Sequence, residues 1–212
     1  MEKKKETFST ADLSKFTAEL ASKAAVPGGG GASALVGAIG VSLSQMVCNL
    51  TLGKEKYKSV ESQVQTVVKE ADELRLELLN LIDADAKCFA PLAAAYGIPK
   101  DDPTREETLE KCLKDACSVP LDIMHTCARS IEFHLKMAQI GSVMAISDIA
   151  VGVVCCKAAM QGAAMNIFIN TKTMKDRKYA AKLEKEADEL LQRYCFLADQ
   201  VYTTIEERLR DK

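Results

Sequence analysis

The sequence predicts an all-α protein, a single-domain bundle of about seven helices, and three observations carry that prediction. Two long stretches, 24–53 and 149–169, are almost free of charge, with Lys157 the one exception. A segment from Val60 places apolar residues at 60, 64, 67, 71, 74, 78 and 81, the 4-3 alternation of a helical seam. No segment shows the two-residue alternation of a strand bounded by turns on both sides. Helices apolar on every side have to be buried all round, which is easier in a chain of 212 residues if a second subunit covers one of them. A homodimer is therefore expected.

Taken in order, Ser9-Thr10-Ala11-Asp12 reads as a capping box opening a first helix that runs to about Ala25. Pro27 and Gly28 to Gly31 then form a turn that feeds a central helix from Ala32 to about Leu52. Glycine at positive φ lets the backbone turn sharply, and the first N–H groups of the helix make a cradle for negative charge. A plain tight connection would use the same residues. No Lys-Ser/Thr follows the glycines and no strand precedes them, which excludes a P-loop and a dinucleotide fingerprint.

Gly53 ends the central helix, and Lys54 to Lys58 make a short charged connection. The long helix from Val60 follows, and its seam, continued, carries Asp85 and then Cys88. Asp85 stands where a Leu would be expected, while Asp83 projects about 200° away from it on an ideal helix. GIPKDDP, 97–103, is a break. Thr104 with Glu107 caps a helix to about Ser118, and Pro120 suits the first turn of the next, which runs to about Gln139. After Gly141-Ser142, Ser147 or Asp148 caps the second low-charge helix. Asp176 opens a last, charged helix with a stripe at 183, 187, 190, 194, 197, 201, 205 and 209.

Composition excludes several classes. A net charge of −2, 5% aromatic residues and no Trp give no surface for nucleic acid or an anionic membrane. The charged start MEKKKETFST lacks the apolar core of a signal peptide. The central stretch is long enough to cross a bilayer, but Ser33, Ser42, Ser44, Gln45 and Asn49 interrupt it, so no membrane is expected. The eight cysteines include no Cys-x-x-Cys, and neither His125 nor His134 is spaced with them as a zinc site requires. Free thiols on apolar faces fit a reducing cytoplasm, and no metal is expected.

Asp85 is the foremost candidate for chemistry, because a carboxylate removed from water has its pKa raised toward the range useful for acid–base catalysis. Pairing with a Lys or Arg is the alternative, and Lys157 either reaches solvent or meets an acid such as Asp85. Asn49 and Lys54 lie at the C-terminal end of the central helix, where a satisfied amide and a helix-terminal cation are the plain readings. Asn166 and Asn170 are four apart, on one helix face, suited to a heteroaromatic edge or to a helix–helix hydrogen bond. His125 and His134 read as structural.

The stretch PGGGGASALVGAIGVSLSQMVCNLTLGKEKY resembles the signature of the folate cyclodeaminase/cyclohydrolase family. It supplies the Pro-Gly-Gly-Gly turn at 27–30, Met46-Val47, Asn49-Leu50-Thr51, Gly53-Lys54 and Tyr57. Asp83-Ala84-Asp85-Ala86, Ser147-Asp148, Gly162 to Ile167 and Ile169-Asn170 agree in order along the chain, whereas Gly141-Ser142 replaces the family's usual Gly-Asn. The resemblance implies a helical subunit that dimerises through long helices, with a tetrahydrofolate derivative as substrate, with or without a polyglutamate tail. It implies one of two reactions, neither of which needs a metal or redox cofactor: water opens 5,10-methenyltetrahydrofolate to the 10-formyl form, or 5-formiminotetrahydrofolate closes with loss of ammonia. The chain carries no formiminotransferase segment, which favours the cyclohydrolase. By the same resemblance Asp85 is first choice as catalyst and Asp83 second, with Lys54. Gly28, Gly29, Gly30, Asn49, Ser147, Asp148, Asn166 and Asn170 are implied to bind substrate, with Lys56 and Lys58 able to meet a polyglutamate tail.

Overall fold

The computed structural model describes residues 7–211, so the reading of the first six residues lies outside it. Seven α-helices are present among the described residues: α1 Leu13–Leu20, α2 Gly29–Thr51, α3 Glu61–Tyr96, α4 Arg105–Asp115, α5 Ser118–Ile140, α6 Ile146–Thr171 and α7 Arg177–Arg210. Short 3₁₀ turns occupy Phe8–Thr10, Glu55–Val60 and Val143–Ala145, and the described residues contain no strand. The all-α prediction holds.

Helix α2 is the centre, packed against α3, α5 and α6. Small residues let it come close. A Cβ on Gly40 would stand 2.6 Å from the Gly152 carbonyl oxygen of α6, so the two backbones touch where they cross. The pair runs antiparallel: Gly29 faces Asn166, Gly40 faces Gly152, and Ser142, just before α6, donates to Thr51 Oγ1 at 2.9 Å. His134 of α5 is fully buried in this layer, with Nδ1 2.6 Å from the Ser130 carbonyl and Nε2 3.2 Å from that of Gly40. Burial outweighs both carbonyls, pushes its pKa down to about 4 and keeps the ring neutral, the structural role read from sequence.

Several local expectations are corrected. The cap of α1 is Asp12, whose carboxylate accepts from Lys15 N–H at 2.8 Å, and not Ser9; the helix ends at Leu20, short of Ala25. Helix α2 starts at Gly29 rather than Ala32, so Gly29, Gly30 and Gly31 are helical, and the one glycine at positive φ is Gly53 (φ 73°) at the far end. Lys54–Lys58 falls largely within a 3₁₀ turn. Neither Thr104 nor Ser147 nor Asp148 caps a helix with its side chain; Thr104 Oγ1 donates to Asp102, and α6 starts at Ile146. Lys157 reaches Asp199 of α7 at 2.6 Å, away from Asp85. Asp176 does cap α7, accepting from Tyr179 N–H at 3.0 Å.

The seam of α3 drifts. Val64, Val67, Ala71, Leu74 and Leu78 are buried as the alternation requires, but Ile82 replaces Leu81 as the next buried residue, ahead of Asp85, Leu92 and Ala95. A helix of 3.6 residues per turn gains about 20° on each heptad, which rotates residue 81 out and 82 in. The low-charge helices depart from expectation in a larger way: they are not buried all round. Ile39 and Met46 on α2 and Val151, Val154, Met165 and Ile169 on α6 are between 40 and 61% exposed. Both helices are long and apolar enough to span a membrane, with about half of each buried in the bundle.

Candidate active site at the N-terminus of the central helix

Asp85 projects from the buried face of α3 onto the first turn of α2. Its Oδ2 accepts the Gly31 N–H at 2.9 Å. The anion cradle read from the glycines thus holds the chain's own carboxylate. Gly30 is required by the same approach, since a Cβ there would stand 2.1 Å from Asp85 Oδ1. Gly30 serves close contact, and none of the four glycines has reversed backbone dihedrals. Burial raises the pKa of Asp85, and the Gly31 hydrogen bond only partly offsets it. That places a carboxylate that can hold or release a proton nearer neutrality beside a helix N-terminus.

Around Asp85 lies a cavity of about 100 Å³, lined by Ala25, Val26, Gly28, Gly29, Phe89, Ala116, Pro120, Asn166, Ile169 and Asn170. Asn166 spends one N–H on the Gly162 carbonyl at 2.9 Å. Asn170 is buried, with its amide nitrogen 3.5 Å from the Ala116 carbonyl. Two amides, one carboxylate and a ring of apolar side chains can therefore grip the polar edge of a flat, mostly apolar molecule and move a proton at it. Larger hollows exist, such as the 510 Å³ groove between α5 and α7 that includes His125 and Tyr194, but solvated charges line it and no titratable group is buried there.

The structure brings six of the expected residues together: Gly28, Gly29, Gly30, Asp85, Asn166 and Asn170. It leaves five elsewhere. Asp83 faces away, accepting from Phe8 N–H at 2.8 Å and from Ser9. Asn49, nineteen residues or about 28 Å from Gly30 along the axis of α2, and Lys54, just beyond that end of the helix, are both exposed. Ser147, exposed, and Asp148, half-buried, belong to that distant end because α6 is antiparallel. Tyr57 is there too, its hydroxyl accepting from Val143 N–H at 3.0 Å and its pKa lowered mainly by that bond. Sequence reasoning missed Gly31 as the donor to Asp85, and Phe89 and Ile169 as walls. Phe89 was legible, four residues after Asp85 on one helix face; nothing in the spacing marks Ala25 and Val26.

Among the described residues, no three His, Cys, Asp or Glu side chains converge as metal ligands. Fold and site together define a helical chain with a buried carboxylate of raised pKa at an interhelical pocket. The chain belongs to the formiminotransferase-cyclodeaminase family, whose model matches residues 12–189. It is 36% identical over 93% of its length to a methenyltetrahydrofolate cyclohydrolase of Methylorubrum extorquens, covering 97% of that protein. It is 30% identical to the rat formimidoyltransferase-cyclodeaminase over 93% of this chain, but spans only 37% of that longer protein. The crystal structure of a formiminotetrahydrofolate cyclodeaminase from Thermotoga maritima superposes with a TM-score of 0.86 at 27% identity, covering 94% of this chain and 98% of that one.

Proposed function

We propose that this protein hydrolyses 5,10-methenyltetrahydrofolate to 10-formyltetrahydrofolate, with Asp85 as the acid–base group. The observation that carries the reading is a buried carboxylate of raised pKa in an amide-lined pocket, in a chain that matches a cyclohydrolase over nearly the whole of both lengths. In the first step ionised Asp85 takes a proton from water as the oxygen bonds to the methenyl carbon. That carbon becomes tetrahedral, bridging N5 and N10 and bearing a hydroxyl. Protonated Asp85 then gives its proton to N5 as the carbon–N5 bond breaks, and the hydroxyl proton is lost to solvent as the formyl carbonyl forms. Asn166 and Asn170 hold the ring edge. The cyclodeaminase reading is the alternative, favoured by the rat relative and the Thermotoga structure. It needs the same groups around an amino-bearing tetrahedral carbon.

The test follows the methenyl chromophore. Loss of absorbance from 5,10-methenyltetrahydrofolate above the uncatalysed rate supports the cyclohydrolase; its appearance from 5-formiminotetrahydrofolate, with ammonia, identifies the cyclodeaminase instead. Silence in both overturns the catalytic reading.

A cavity of about 100 Å³ is too small for a folate, since sites for molecules of that size span about 300–1,000 Å³. We propose that two copies pair through the exposed apolar face of α2 and α6. A two-fold axis near the middle of this antiparallel pair would carry the partner's Asn49–Lys54 end, with Ser147 and Asp148, toward the Asp85 pocket. Lys54, Lys56 and Lys58 would then offer cations to the glutamate tail. The eight cysteines, all unpaired, fit a protein of the cytoplasm. Ile39→Glu is expected to convert a dimer to a monomer in sedimentation, with helicity kept and turnover lost. A wild-type protein that sediments as a monomer, or that needs detergent to stay soluble, would refute the pairing.

A further inference from the structure

Asp83 precedes Asp85 by two residues on α3, yet serves the opposite face. Its carboxylate takes three donors, Phe8 N–H at 2.8 Å, Ser9 N–H at 3.3 Å and the Ser9 hydroxyl. An ionised carboxylate is suited to this because both oxygens only accept, and each such bond is charge-assisted. The donors open a segment that runs through α1 and returns to α3 on the other side. Phe8 meets Phe16 edge-on, with ring centroids 6.5 Å apart, and Phe16 is the buried residue of α1. Between α1 and α2 the chain is exposed at 21–25, and its hydrogen bonds are local, as from Ala24 N–H to Ser22 Oγ at 2.9 Å. It then supplies Ala25 and Val26 to the wall of the Asp85 pocket before Pro27 is buried.

Residues 7–27 therefore form a strap around α3, fastened on one face by one aspartate and closing the pocket of the other. The geometry points to Asp83 as a positioning residue that sets the mouth of the active site by anchoring this strap. The kinetic part of the inference rests on the folate reading above; the anchoring itself does not. A strap fixed through Phe8, Ser9 and Phe16 holds Ala25 and Val26 against the bound ring. When it is loosened, binding weakens while the proton transfers at Asp85 continue.

Two variants test this. Asp83→Asn offers a single acceptor oxygen and turns an N–H toward Ser9, and Ser9→Ala removes one donor while leaving the carboxylate in place. Both are expected to raise KM for 5,10-methenyltetrahydrofolate, by roughly tenfold for Asp83→Asn and less for Ser9→Ala, with kcat within about twofold and the pH profile unmoved. Amide hydrogen exchange at 21–26 is expected to quicken in both. A fall in kcat at unchanged KM in Asp83→Asn, with Ser9→Ala like wild type, would make Asp83 a participant in the chemistry and overturn the inference. Unchanged exchange at 21–26 in both variants overturns it as well, and exchange judges the anchor even if neither folate is turned over. Should Asp83→Asn fail to fold, Ser9→Ala carries the test through the same two readouts.

Discussion

Asp85→Asn is expected to lower turnover by about 10²–10⁴-fold, the usual worth of a general acid–base group, while raising the melting temperature. The two effects share one origin. The folded-state pKa of Asp85 lies above its unfolded value, so the group favours the native state at low pH, and that contribution is lost as pH rises through the folded pKa. Above the unfolded pKa, burial of this carboxyl is a cost to folding. Asn relieves it and still accepts the Gly31 N–H through its amide oxygen. Each kcal/mol relieved in a chain of this size moves the melting temperature by about 2–4 °C. The acid limb of the wild-type pH–rate profile should lie above the ordinary carboxylate range and vanish in the variant. Lost turnover with a lowered melting temperature would mark Asp85 as structural.

Gly30→Ala should be nearly as damaging, by a different route. The new methyl would fall 2.1 Å from Oδ1, 2.5 Å from Cγ and 2.6 Å from Oδ2 of Asp85, and the carboxylate, buried and tied to Gly31, cannot swing clear. Overpacking of this kind costs about 1–3 kcal/mol. A carboxylate pushed aside by an ångström is expected to lose about 10²-fold in kcat/KM. Gly31→Ala, one position on, meets ordinary contacts at 3.6 Å to Pro27 and 3.7 Å to Ile82. Being helical, it should leave stability unchanged or raise it by up to about 1 kcal/mol. Equal melting curves and rates for Gly30→Ala and wild type would show that α2 and α3 can separate at no cost, and the account of the glycines would fall.

The fold was legible because its signals are periodic. The charge-free stretches, the alternation from Val60 and the stripe ending in Leu209 each mark a helix without help from tertiary structure, and Asp85 stood out because it breaks such a pattern. Boundaries were less legible where polar residues had two uses. Ser9 resembles a cap, yet it is bonded to Asp83, a partner 74 positions away that no local pattern names. The glycines were read as a reversed turn because sequence shows the missing Cβ, not the carboxylate that needs its space. The site was half legible for a related reason. Spacing along one chain finds residues that act at helix ends, but Asn49 and Lys54 stand a helix length from Asp85 in the folded subunit.

The bond between Asp85 and Gly31 means that the positive end of α2 has a resident counter-ion. A second anion entering this pocket would meet repulsion, whereas a delocalised amidinium would meet attraction and would draw the pKa of Asp85 back down. On the proposed reaction the substrate would thereby hold its own base in the ionised form that the first step uses. Hydrolysis discharges that cation, since the 10-formyl product is a neutral amide at the same carbon. The attraction that admitted the substrate is then gone, the pKa of Asp85 rises again, and release is coupled to the chemistry by charge alone.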